Sequence, residues 1–170
     1  MADITKRDNL MDLIDDDDED TQANKYLIFD LGEESFGIEI KYITEIISFQ
    51  KITELPDMPE FIKGVINLRG KVIPIIDVRT RFKLDKTDHT DRTSIVIVQV
   101  GEKDIGLIVD TVAEILEILE ENIDPPPHFK SAADRNRYIK GLGKVKGEVK
   151  ILLDIEKLLY EEEMKELESI

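Results

Sequence analysis

A short pattern that occurs twice constrains this chain more than any other feature. The first copy, residues 61–82, reads FIKGVINLRGKVIPIIDVRTRF, and the second, residues 138–159, reads YIKGLGKVKGEVKILLDIEKLL. Each copy holds two apolar runs joined by a Gly-containing turn, which predicts a β-hairpin. Each hairpin is followed by an Asp that can cap a helical turn with its side-chain oxygen. A gapless alignment of the copies matches Phe61 with Tyr138, Gly64 with Gly141, Gly70 with Gly147, and Asp77 with Asp154.

The segments upstream of the two hairpins also match. Residues 32–37 (GEESFG) correspond to residues 101–106 (GEKDIG), and a later TEI at 44–46 corresponds to AEI at 113–115. A solenoid is excluded, because solenoid repeats have periods of about 20 to 50 residues. The sequence therefore predicts an internal duplication of a small β unit.

The remaining strands follow from hydrophobic periodicity. In residues 25–31 apolar side chains alternate with others, which predicts a strand. Residues 35–40 are predicted to form a second strand that runs back after a turn. The run SIVIVQV at 94–100 predicts a strand buried on both faces. The pattern leaves open whether 41–47 begins with a helical turn and whether 111–119 is strand or helix. Pro74 has no N–H for a ladder, so we expect its strand to have an exposed edge there.

These elements predict a mainly β protein in which two small barrels or sandwiches pack side by side, with short helices and a C-terminal helix. We expect an acidic, disordered tail over 1–24, a folded region over 25–162, and a frayed end over 163–170. The two halves should meet between about 88 and 92 and pack on each other, because a unit of about 60 residues is marginal alone.

Bulk properties exclude several classes of partner. The formal net charge of −15 argues against binding to nucleic acid or to an anionic membrane surface. The chain has no cysteine, hence no disulfide framework. It has no apolar run long enough to span a membrane and no secretory leader pattern, so we expect a cytoplasmic protein without direct membrane insertion.

The N-terminal region combines an apolar cluster with an acidic run. Leu10, Leu13 and Ile14 have helical spacing, and every residue from Asp15 to Asp20 is acidic. We favour a frayed tail, and the alternative is a short amphipathic motif that docks into a partner's groove. The acidic run lacks the Gly and the spacing of an EF-hand loop, so we predict no calcium site.

Few residues suggest catalysis. The chain has no phosphate-binding loop, zinc-protease motif or nucleophile elbow. His89 and His128 fall in polar loops without the neighbours that a general base needs. Asp77, Asp110 and a histidine could serve a small metal-dependent hydrolase, although helix capping explains Asp77 and Asp154 equally well. Arg69 lies in the first hairpin turn. Its residue type fits two interpretations equally well: a charge exposed to solvent, or an anchor at a protein interface.

Taken together, the motifs resemble those of the CheW family of chemotaxis coupling proteins. The similarity rests on FIKGVINLRGKVIPIIDVR, LGEESFGIEI, GLIVD, YIKGLG and LLDIEKLL, and covers about residues 24–161. It implies two SH3-like five-stranded β-barrels, between which strands can be exchanged, and a non-enzymatic adaptor without cofactor or metal. The long acidic N-terminus departs from the family pattern.

The resemblance also implies partners and site residues. The expected partners are the regulatory domain of the histidine kinase CheA and the cytoplasmic tip of methyl-accepting chemoreceptors, and the expected location is cytoplasmic, with recruitment to receptor arrays. The implied interaction residues are Ile43, Glu45, Gly64 and Arg69. A receptor helix would lie in an apolar groove near the junction of the barrels. The alternatives are the hydrolase and a generic SH3-like binder of proline-rich peptides.

Overall fold

The computed structural model describes residues 9–12, 14, 22–82, 84–85, 87–126 and 138–159. Within these ranges the protein is mainly β, as predicted. The strands are β1 (Lys25–Leu31), β2 (Glu34–Glu39), β3 (Ile43–Ser48), β4 (Ile62–Leu68), β5 (Lys71–Asp77), β6 (Ser94–Val100), β7 (Lys103–Val109), β8 (Thr111–Glu117), β9 (Ile123–Asp124), β10 (Ile139–Val145) and β11 (Glu148–Leu153). The short helices are α1 (Val78–Arg81) and α2 (Ile155–Leu159). A 3-10 turn, Ile40–Tyr42, precedes β3, so the first open segment is a helical turn followed by a strand, and the second is the strand β8.

The strands form two sheets, and each sheet contains strands from both halves of the chain. Sheet 1 has the order β8-β1-β2-β11-β10-β9, and sheet 2 has the order β3-β6-β7-β5-β4. The hairpins β1–β2 and β6–β7, which are equivalent in the two copies, have therefore changed places. A boundary near residues 88–92 does not separate the sheets, because β-pairing depends on long-range contacts that the strand pattern does not specify. Sheet 1 also has six strands rather than five, through the two-residue strand β9.

Each exchanged hairpin joins its sheet through an antiparallel ladder on one strand and a short parallel ladder on the other. In the parallel ladders, β2 pairs with β11 around Gly37, and β5 pairs with β7 around Gly106. A Cβ on Gly37 would lie 2.8 Å from the Leu152 side chain, and one on Gly106 would lie 2.5 Å from that of Ile75. These two glycines are the last residues of the matched GxxxxG motifs, so each motif marks a junction at which a larger residue would force buried side chains to move.

The main hydrophobic core lies where the two sheets pack on each other. It draws Leu27, Phe29 and Ile38 from sheet 1 and Val96, Val98 and Leu107 from sheet 2, all of them buried. Two smaller clusters lie apart from it: Ile66, Ile73, Ile75, Ile95, Ile97 and Ile108 in sheet 2, and Tyr26, Ile28, Ile118 and Leu152 in sheet 1. The strand β6 contributes to both the inter-sheet core and the sheet 2 cluster, which confirms the prediction that it is buried on both faces.

Both predicted helix caps are present. The Asp77 carboxylate accepts the Arg79 N–H at 3.0 Å, and the Asp154 carboxylate accepts the Lys157 N–H at 3.0 Å. β5 lies between β4 and β7, so it is not an edge strand over its whole length. At Pro74 its β7 side is nevertheless unpaired, as predicted, because the ladder between β5 and β7 begins at Ile75. The missing N–H of Pro74 therefore costs no ladder bond.

Two equivalent aromatic residues enclose an arginine between the sheets. The Arg81 guanidinium lies 4.3 Å from the ring centre of Phe61 and 4.5 Å from that of Tyr138, which are matched residues of the two copies. A planar cation between two ring faces gains electrostatic attraction as well as contact. The starts of the two hairpins are thereby held together.

Asp110, which is ion-paired with Arg79, connects the β1–β2 turn to sheet 2. Asp110, just after β7, accepts hydrogen bonds from the Arg79 side chain, one of them 2.8 Å from Nε, and from the Gly32 N–H at 2.8 Å. Burial raises the pKa of Asp110, but the hydrogen bonds from Arg79 and Gly32 outweigh it, so the pKa of this carboxyl lies below its usual value. The carboxylate is thus stabilised in its charged form.

The described part of the N-terminal region differs from the expected disorder. Residues 9–12 and 14, here called the N-terminal segment, are helical, and Leu10 and Ile14 are buried in the inter-sheet core. The acidic run at 15–20 lies outside the described residues. No helix within the described ranges is long and apolar enough to cross a membrane.

Replacement of Gly64 by Ala is predicted to destabilise the fold strongly. Gly64 has a φ of 145°, and a Cβ there would overlap the Thr53 carbonyl, lying 2.7 Å from its carbon. Backbone strain and overlap should together lower the free energy of unfolding by about 3 kcal/mol, measured by denaturant titration. Gly70→Ala is the control: Gly70 has a φ of 85° but no heavy atom within 4 Å of the position that a Cβ would take, so its loss should be about 1 kcal/mol. Equal losses would contradict the role of the Thr53 contact.

The lowered pKa of Asp110 predicts an acid-sensitive contribution to stability. A depressed folded-state pKa gives stability that is present above the unfolded-state value of about 3.9 and is lost as the pH falls through the folded-state value. Asp110→Asn should therefore be less stable than wild type at pH 5, and the gap should narrow as the pH falls towards about 2.5. Denaturant titrations across this range measure the gap. Asp91→Asn, at an exposed position, serves as the control, and a gap that stays constant with pH would refute the assignment.

Candidate protein-interaction surface

The strand β3 supplies one side of the candidate surface. It is an edge strand of sheet 2 and pairs only with β6 there. The register shifts between Ile43 and Glu45, so Thr44 is an extra residue whose hydroxyl donates to the Ile97 carbonyl at 3.3 Å. This bulge leaves Ile43 in the inter-sheet core, only 5% exposed, and leaves the Glu45 carboxylate at the surface.

The β4–β5 hairpin supplies the other side. Its two turn residues, Arg69 and Gly70, have φ values of 51° and 85°, as expected for the mirror-image turns that suit hairpins. The Asn67 side-chain oxygen accepts the Gly70 N–H at 2.8 Å and fixes the turn. The Arg69 side chain, which is 71% exposed, extends from this turn and forms an ion pair with Glu45. Because β3 and β4 lie at opposite ends of the strand order, this pair indicates that sheet 2 curls until its two ends meet.

Around this ion pair lies an open groove of about 540 Å³ lined by both apolar and charged side chains. Its apolar lining includes the partly buried Leu68 and the buried Ile73 and Ile97 of the sheet 2 cluster. A second ion pair, between Lys71 and Asp104, lies on its wall. The cation of each pair is exposed, Arg69 by 71% and Lys71 by 59%, whereas the carboxylates are largely covered. Ion pairs with such exposed partners contribute little to stability, so the two cations are available to a binding partner.

The structure brings together two of the four predicted site residues. Glu45 and Arg69 are in direct contact at the groove. Ile43 is buried at the start of β3, and Gly64 lies at a bulge in β4 against Thr53, so these two shape the surface only through the fold. All four remain predictions as interaction residues.

Apart from Glu45 and Arg69, the lining residues did not emerge from the sequence as candidates, among them Met11, Leu68, Lys71 and Asp104. Leu68 and Lys71 flank the turn that carries Arg69, so their nearness was available from the hairpin pattern. Asp104 enters from the exchanged β6–β7 hairpin, and Met11 from a region expected to be disordered. Neither placement has a local sequence signal.

The residues of the hydrolase alternative do not form a metal site. Both carboxylate oxygens of Asp110 accept hydrogen bonds from Arg79, and Asp77 caps α1. Asp77 and His89 do line a common open pocket with Lys63, but the His89 ring stacks on Phe49 at 4.0 Å. No group of three or more potential metal ligands occurs among the described residues. His128 lies outside them.

The proline-rich peptide alternative lacks its aromatic groove in the described ranges. Phe29, Phe36 and Phe82 stack in sequence, and Phe82 meets Tyr138 edge to face, so these rings pack on one another in the core. The exposed large apolar residues there are all aliphatic: Val72, Leu84, Leu119 and Val149. A peptide of polyproline conformation needs aromatic faces to dock on.

Comparisons with known proteins agree on one family. The CheW-like domain model matches residues 25–163. The chain is 37% identical to the chemotaxis protein CheW of Klebsiella aerogenes, over 89% of this chain and 90% of that protein. It is 36% identical to a probable chemotaxis protein CheW of Rhizobium etli, over 84% and 92%. The crystal structure of the scaffolding protein TtCheW from Thermoanaerobacter tengcongensis superposes with a TM-score of 0.75 at 35% identity, covering 82% of this chain and 94% of that one. The chain therefore belongs to the CheW family of non-catalytic chemotaxis scaffold proteins.

Proposed function

We propose that this protein couples membrane chemoreceptors to the histidine kinase CheA, and that the groove beside Glu45 and Arg69 is one of its contact surfaces. The kinase contact would be the regulatory domain of CheA, and the receptor contact the helical cytoplasmic tip. The protein works in the cytoplasm and is recruited to receptor arrays at the membrane. The folded unit that does this corresponds to about residues 25–162.

The observation that carries the proposal is the arrangement of Arg69. Its guanidinium is mostly exposed, yet Glu45 and a fixed hairpin turn hold it beside an apolar groove. Arginine in such a setting is typical of interface anchors, because its planar fork can bind a second carboxylate while retaining the first. Preordering the side chain also lowers the entropy lost on association.

The groove has the shape and chemistry for an amphipathic helix. Met11 and Leu68 are its partly exposed apolar side chains, and Arg69 and Lys71 offer exposed positive charges beside them. Apolar area would supply affinity, while the charges would set the register of the partner. A signal passes through such a scaffold as fixed geometry between two partners rather than as a chemical step.

Arg69→Glu is predicted to weaken binding to the CheA regulatory domain, to a receptor-tip fragment, or to both, by about tenfold or more. The physical reason is that the change replaces an attractive charge by a repulsive one, at a cost of the size seen at interface anchors. Calorimetric titration of full-length protein with each fragment measures the effect. Thermal unfolding should change little, because the ion pair is exposed.

Two further variants sharpen this test. Lys146→Glu is the matched control, because Lys146 occupies the equivalent turn position with the same φ of 51°. The double variant Glu45→Arg with Arg69→Glu restores the internal ion pair in reverse, so it should still bind weakly if Arg69 contacts a partner. Unchanged affinity of Arg69→Glu for both fragments would remove this surface from the proposal.

A further inference from the structure

The N-terminal segment presents one apolar face to the body of the protein. Leu10 and Ile14, four residues apart, are 6% and 4% exposed, whereas Asn9 and Asp12 on the same helical stretch are exposed. Residues at this spacing share one face of a helix. The segment therefore lies on the protein as an amphipathic helix lies in a groove.

What this segment covers is the free edge of β3. The sulfur of Met11 accepts the Ile46 N–H at 3.1 Å, and Ile46 is itself buried beneath the segment. An edge strand exposes N–H groups that invite other chains, and native proteins cover such edges with helices or loops. Here the cover comes from a remote part of the same chain.

The same segment borders the candidate interaction surface. Met11 lines the groove together with Glu45 and Arg69. A ligand helix that extends along this groove towards β3 would meet the N-terminal segment. Leu10 and Ile14 pack into the inter-sheet core, while Met11, between them, closes the β3 end of the groove.

The attachment of the segment is of a kind that can be released. Two hydrogen bonds join its described residues to later parts of the chain: the one to the Met11 sulfur, and one from the Gln22 side chain to the Ile14 carbonyl at 3.0 Å. Among the described residues the segment takes part in no strand pairing. For its described residues, docking depends mainly on apolar contact of Leu10, Met11 and Ile14 with the inter-sheet core, so the segment can leave without unpairing any strand.

We propose that the N-terminal segment, through Met11, closes the β3 end of the interaction groove, and that a helical partner must displace it in order to bind. The proposal rests on the function proposed above, since it concerns the same surface. When the segment is docked for most of the time, the apparent affinity for the partner falls in proportion to the fraction of molecules in which the groove is free. Undocking should therefore strengthen binding.

The test uses the full-length protein with Leu10→Asp and Ile14→Asp combined, which places two charges on the buried face. Amide hydrogen exchange at Ile46, followed by NMR, reports docking without any partner. Calorimetric titration with the receptor-tip fragment and with the CheA regulatory domain reports competition. Met11→Ala is a milder second variant that keeps the fold intact if the double variant unfolds. Asp12→Ala is the control, because Asp12 is exposed on the same stretch.

We expect faster exchange at Ile46 and about tenfold tighter binding of at least one fragment in the double variant, a smaller change of the same sign in Met11→Ala, and no change in Asp12→Ala. Unchanged exchange would show that the segment does not cover β3 and would overturn the proposal. Faster exchange with equal or weaker binding would overturn it too, because the segment would then be only a structural brace. If wild type and variants all fail to bind either fragment, the proposed function falls and the competition with it.

Discussion

The apolar layer between the two sheets is the interaction on which the rest of the structure depends. It is built by the exchange of the β1–β2 and β6–β7 hairpins, so neither half of the chain can keep its sheet if the other is removed. Units of about 60 residues bury little surface and are only marginally stable alone. Exchange solves this problem by making the inter-sheet layer and both sheets parts of one cooperative structure.

This interdependence bears directly on the candidate surface. Glu45 lies on β3 and Arg69 in the β4–β5 turn, but the strands that connect them across sheet 2 include β6 and β7, from the other half. The distance between the two side chains is therefore fixed by the exchange itself. A scaffold that holds two partners in defined geometry needs such rigidity, because flexibility of the contact surface would weaken the coupling between the partners.

Local sequence patterns predicted the local structure well and the pairing of strands poorly. The two matched hairpins, the caps at Asp77 and Asp154, and the buried strand β6 follow from turn residues, capping chemistry and apolar runs. Local patterns do not predict three other features: the hairpin exchange, the position of β5 between β4 and β7, and the docking of Leu10. Each of these depends on a contact between residues distant in sequence. The glycines of the GxxxxG motifs were visible as a repeat, but their role at the parallel junctions required the structure.

Comparison of the two copies separates what the fold requires from what a surface requires. Gly64 and Asp77 recur as Gly141 and Asp154, at positions where a backbone approach or a cap leaves little choice. The turn departs from this: Asn67, Leu68 and Arg69 become Lys144, Val145 and Lys146 although both turns have the same backbone conformation. Lys144 pairs with Asp124 at 3.3 Å and cannot accept the turn N–H as Asn67 does. Since the fold tolerates both versions, stability does not require the fixed turn and paired arginine of the first copy, which agrees with the contact role proposed for Arg69.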